Sequence, residues 1–68
     1  MNLEEIAKYL VTRRKTLDVS QKELAKLSGI SLHSLSNVEG GKGNPTFDVI
    51  FRLCEVLGLK ITIGVKAP

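Results

Sequence analysis

The chain has little of the chemistry on which enzymes and metal proteins depend. It contains one cysteine, Cys54, and one histidine, His33. A single cysteine excludes an internal disulfide framework. Cys54 and His33 together offer two soft ligands where a structural zinc takes four, so no metal is expected. No catalytic cluster can be assembled from one His and one Cys. A domain this small offers no deep cleft, so neither an enzyme nor a small-molecule substrate or cofactor is expected. Tryptophan is absent and aromatics make up 4% of the residues, which leaves the core to aliphatic side chains. No apolar run approaches the roughly 18 residues of a membrane span. The first ten residues mix charged and apolar groups, so no signal peptide is expected. A free cysteine without an export signal points to a reducing cytoplasm.

What is present is 43% hydrophobic residues in 68, enough for one small domain over 1–68. A chain of this size buries only about 60% of the surface its unfolded form exposes. With disulfide and metal excluded, a partner chain is the remaining route to added stability. The formal net charge is +3, a mild lean toward anionic partners. Lys8, Arg13, Arg14, Lys15, Lys22 and Lys26 all lie in the N-terminal part, against Glu4, Glu5, Asp18 and Glu23.

The pattern predicts a mainly α domain of four helices followed by a strand. Asn2 caps the first helix, with Glu5 placed to complete a capping box. Leu3, Ile6, Ala7, Leu10 and Leu17 fall on one face, and Asp18 is a plausible left-handed stop. Ser20 and Glu23 form a second capping box, and Leu24, Ala25 and Leu27 supply an apolar side. Gly29 ends that helix. Ser31 caps a third, buried through Leu35 and Val38. The two helices of 20–39 stand too close to run straight and must cross at a large angle. The third leaves Leu32, His33, Ser34, Ser36 and Asn37 outward. Such a polar face is poor core material, but its groups can bond along base edges in the major groove of DNA. Thr46 caps a fourth helix carrying Phe47, Ile50, Leu53, Cys54 and Leu57, which ends at Gly58.

In the segment 59–65, Leu59, Ile61, Ile63 and Val65 alternate with Lys60, Thr62 and Gly64, a half-buried strand pattern. No other segment reads as a strand, so its expected partner is the same strand of a second copy in a two-fold homodimer. The alternative is an apolar tail packed across its own domain.

From Leu10 to Leu59 the chain resembles the lambda-repressor and Cro type of helix-turn-helix domain, also called Xre-type. The residues that carry the resemblance are Arg14, the run VSQKELAKLSGIS (19–31), Val38-Glu39-Gly40, Lys42, and NPTFDVIFRLCEVLGL (44–59). Family members often have Gly where Asp18 stands. Many continue with a further helix where this chain has its strand pattern. That ending, with GKGNP, is similar to the HipB-type antitoxins. The resemblance implies a homodimeric repressor of double-stranded DNA, reading a (pseudo)palindrome through half-sites ~34 Å apart. It also implies a toxin protein as a second partner.

Leu32, His33, Ser36 and Asn37 are then the expected base readers. Asn37 suits adenine, Leu32 a thymine methyl, and His33 a guanine or a phosphate. Gln21, Ser31, Ser34, Lys42, Asn44 and Arg14 are the expected phosphate contacts, and the resemblance implies that the Gln21 amide also braces the third helix. Ser31 is so placed because a helix N-terminus attracts anions. Arg14 and Glu39 are expected as a structural ion pair between the first helix and the end of the third. The competing reading is a protein-interaction module on the same scaffold. Under it Gln21 and His33 are ordinary surface residues and Gly40 to Gly43 is a connector.

Overall fold

Four side-chain oxygens start four helices. The computed structural model describes residues 2–67, in which α1 spans Leu3–Thr16, α2 Gln21–Ser28, α3 Leu32–Glu39 and α4 Phe47–Leu57. Asn2 Oδ1 accepts from the Glu5 amide at 2.9 Å, and Ser20 Oγ accepts from the Glu23 amide at 3.0 Å. Ser31 Oγ accepts from the Ser34 amide at 3.0 Å, and Thr46 Oγ1 from the Val49 amide at 3.3 Å. Each bond satisfies an amide that the helix leaves without a partner. The reciprocal carboxylate bond of a capping box is made by Glu23, which accepts from the Ser20 amide at 3.2 Å. The box expected at Glu5 closes on one side only, through the Asn2 side chain.

The four C-terminal ends also share one solution. Val19 bonds back to the Arg14 carbonyl, Ile30 to Ala25, Lys42 to Asn37 and Leu59 to Cys54. In each case the residue just before the donor is left-handed: Asp18 at φ 57°, Gly29 at 71°, Gly41 at 70° and Gly58 at 71°. This six-to-one closure satisfies carbonyls of the last turn and turns the chain sharply. Asp18 is the one non-glycine among them and carries the steric cost of a Cβ in that conformation.

The turns fold α1 and α2 against α3 and α4. The core is aliphatic, as the shortage of aromatics requires. Leu10 of α1, Leu24 of α2, Leu35 of α3, and Leu53 and Leu57 of α4 are fully buried, joined by Ala25, Val38 and Cys54. Burying a leucine is worth about 1.5–3 kcal/mol, so each helix is fixed mainly by one or two such side chains. Burial pushes the Cys54 thiol above its ordinary pKa, with the nearby Glu55 carboxylate adding to the effect. Arg13 Nε donates to the Leu57 carbonyl at 2.8 Å and ties α1 to the end of α4.

Three residues expected in the core lie outside it: Leu17, Leu27 and Phe47 are exposed. Leu17 caps α1 beyond its last turn. Leu27 sits on the flank of α2, because the buried stripe there runs through Leu24, Ala25 and Ser28. Phe47 opens α4 and stacks on Phe51, one turn on, with ring centroids 6.0 Å apart.

The strand expected over 59–65 is absent: the described residues contain no strand. A strand exists through its ladder partner, and a single chain supplies none. The Leu59 amide is already committed to the Cys54 carbonyl at 2.9 Å, closing α4. Beyond it, Ile63 and Val65 are 88% and 101% exposed. Leu59, Ile61 and Ile63 line a groove of about 510 Å³ together with Phe47, Phe51 and Cys54. Among the described residues no helix is long and apolar enough to cross a membrane.

Candidate nucleic-acid interface

Leu35 and Val38 hold α3 to the core, and everything else on the helix follows from that anchoring. With those two inward, Leu32, His33, Ser34 and Ser36 are exposed and Asn37 is half-buried. The four expected base readers therefore occur on the outward side of one helix. Leu32, 48% exposed, is an apolar group among polar ones. His33 and Asn37 stand one turn apart, with Asn37 Nδ2 and His33 Nε2 separated by 3.3 Å. That separation holds the two side chains side by side, each keeping a further hydrogen-bonding atom free.

Ser31 and Ser34 form a pair at the N-terminus of the same helix. Ser31 Oγ accepts from the Ser34 amide and donates to Ser34 Oγ at 2.9 Å. The Ser34 hydroxyl hydrogen is left to donate outward. Lys42 and Asn44 are exposed in the loop between α3 and α4. The Lys42 amide is used on the Asn37 carbonyl at 2.9 Å, so only its ammonium group is available to an anion. Gly43, at φ 77° with open space where a Cβ would lie, brings the backbone of this loop to the surface.

Arg14, one of the expected phosphate contacts, is engaged inside the domain. Its Nε and Nη2 donate to Glu39 Oε2 and Oε1 at 2.7 and 2.9 Å, and its Nη1 donates to the Val19 carbonyl at 3.0 Å. The side chains of Arg14 and Glu39 are only 13% and 5% exposed. Each of the three guanidinium nitrogens donates one bond inside the domain. The bidentate bond to Glu39 holds the guanidinium above its ordinary pKa, against the opposing effect of burial. This ion pair joins α1 to the end of α3.

Gln21, the first residue of α2, is half-buried. Its Nε2 donates to Glu39 Oε1 at 2.9 Å. The bond places Gln21 against the C-terminal end of α3. The two residues are far apart in the chain and meet only once α2 and α3 have packed. Lys22 and Lys26 of α2 are exposed. The described residues bring together no group of three or more His, Cys, Asp or Glu suited to a metal ion.

This geometry has counterparts. A family model described as helix-turn-helix matches residues 10–63. A protein of Haemophilus influenzae described as an uncharacterized HTH-type transcriptional regulator is 34% identical over 58 residues. The aligned region covers 85% of this chain and 59% of that relative, so the chain spans only part of the relative's length.

Proposed function

Because the chain belongs to the helix-turn-helix family of the lambda-repressor and Cro type, we propose that it binds double-stranded DNA as a transcriptional regulator, with α3 read into the major groove. The observation that carries this is the outward side of α3. Leu35 and Val38 take up the core contacts, leaving Leu32, His33, Ser36 and Asn37 free to meet base edges. Apolar contact, a ring nitrogen, a hydroxyl and an amide make a set of groups suited to distinguishing base pairs. Ser31, Ser34, Lys42, Asn44 and Gln21 flank them as backbone contacts, which position the protein without reading sequence.

The regulator acts as a homodimeric repressor on a (pseudo)palindromic operator in the cytoplasm. Support for the dimer is the apolar tail: Ile63 and Val65 follow the alternating pattern of the segment and lie almost fully exposed in their own chain. Paired with the same segment of a second copy, they would gain both a ladder and cover. The tail also supports the narrower reading of an antitoxin that represses its own operon and binds a toxin away from DNA.

The test is selection of binding sites from a random duplex pool with the purified protein. Enrichment of a two-fold symmetric site is expected, with affinity falling steeply as salt rises. Failure to bind duplex DNA at low salt would overturn the reading and favour a protein-interaction module.

A further inference from the structure

Glu39 is a nearly buried carboxylate at the end of α3 that accepts three hydrogen bonds: two from Arg14 and one from the Gln21 amide. An ionised carboxylate has acceptors only. Whatever amide faces it must present nitrogen. The orientation of the Gln21 side chain is therefore dictated: Nε2 points to Glu39, Oε1 points away, and one Nε2 hydrogen remains free. Gln21 is also the first helical residue of α2. Backbone N–H groups in that position have no partner within the helix. One phosphate oxygen at the start of α2 would thus meet two donors on a single residue. A long side chain normally loses rotamer freedom when it makes such a contact. Here the side chain is ordered when the domain folds, before any DNA arrives.

A carboxylate beside DNA phosphates would ordinarily repel them. Arg14 removes that objection, since its guanidinium lies on the same carboxylate at 2.7 and 2.9 Å. Its remaining contact, to the Val19 carbonyl, fixes the approach of the chain to α2.

We propose that Glu39 is a positioning residue for DNA binding, holding the Gln21 amide in its donating orientation, and that Arg14 serves as the counter-ion that lets a carboxylate stand there. This rests on the reading of Gln21 as a phosphate contact. It differs from a purely structural ion pair, which would stabilise the fold and leave the energetics of Gln21 on DNA unchanged.

The test is a mutant cycle on the operator enriched from the random pool, measured by titration at fixed salt, with circular dichroism to verify folding. Arg14→Met/Glu39→Leu removes one positive and one negative charge, so net charge is kept, and apolar replacement of a buried ion pair is often neutral or stabilising. Gln21→Ala should weaken binding roughly tenfold, the worth of one bond to a charged group. Arg14→Met/Glu39→Leu should weaken it by a similar factor, and the triple variant should be no weaker than either. The salt dependence should stay as in the parent chain, because no cation has left a phosphate. If Gln21→Ala still costs its full factor in the Met/Leu background, Glu39 is structural only and the proposal is overturned. If Gln21→Ala alone has no effect while the protein still binds its site, the reading of Gln21 as a contact fails and takes the proposal with it. Should the apolar pair not fold, Arg14→Leu/Glu39→Met carries the same cycle, again with net charge kept and no acceptor left for the Gln21 amide. A loss of affinity that Gln21→Ala does not deepen supports the proposal, and an unchanged affinity or an intact Gln21→Ala penalty overturns it.

Discussion

Replacing Glu39 with alanine should come close to unfolding the domain. The substitution leaves the Arg14 guanidinium with a single bond, to the Val19 carbonyl, in a site where it is only 13% exposed. It also frees the Gln21 amide. Removing one partner of a buried ion pair costs about 3–5 kcal/mol, because the other charge is left without solvation. A domain has about 0.05–0.15 kcal/mol of stability per residue, which for this length amounts to about 3–10 kcal/mol in total. The loss is therefore on the order of half the stability or more. Urea denaturation followed by far-UV circular dichroism reads it directly. With a slope of about 1 kcal/mol per molar urea, the midpoint should fall by roughly 3 M, or the chain should be unfolded without denaturant. Arg14→Met/Glu39→Leu should stay within about 1 kcal/mol of the parent, since it strands no charge. A loss below about 1 kcal/mol for Glu39→Ala would show that the pair behaves like an exposed one, and the reasoning from burial would be refuted.

Three further outcomes are expected. Asp18→Gly relieves a Cβ at φ 57° and should stabilise the domain by about 0.5–1 kcal/mol, raising the melting temperature by several degrees; a lower melting temperature would contradict the account of the α1 end. The Ser20 backbone amide, with its hydroxyl adding to the effect, holds the Glu23 carboxyl below its ordinary pKa, so its contribution is present at neutral pH and disappears as pH falls through that lowered value. Glu23→Gln should flatten the acid side of the stability profile in thermal melts, and an unaltered profile would remove Glu23 from the explanation. Deletion of residues 60–68 should yield a monomer by light scattering with much weaker DNA binding, and an unchanged mass would sink the tail-mediated dimer.

The boundaries of every helix were legible in the sequence because they depend on local chemistry. A short polar side chain before each helix and a glycine or Asp18 after it act within a few residues, and Asn2, Ser20, Ser31 and Thr46 cap as their neighbours dictate. The Arg14–Glu39 pair was legible only through a family resemblance. The same resemblance implied that Gln21 braces the third helix, but Glu39 as its partner was not legible, since that bond needs the packing of α2 on α3. Leu27 and Phe47 misled for a related reason. Hydrophobicity says that a side chain prefers burial, while the angular position of the stripe on each helix decides which ones obtain it. The tail misled because alternation describes how a strand would face and not whether a partner stands beside it.

The anchoring of α3 through Leu35 and Val38 bears on how such a regulator diverges. Side chains that hold the helix and side chains that would read DNA are different residues. Leu32, His33 and Ser36 can drift without weakening the fold, so a duplicated copy can acquire a new target site by a few substitutions while its scaffold stays intact. Glu39 and Gln21 sit on the opposite side of that division. They belong both to the architecture and to the proposed grip on the DNA backbone, and lineages that retarget the outer residues should keep this pair together or lose it together.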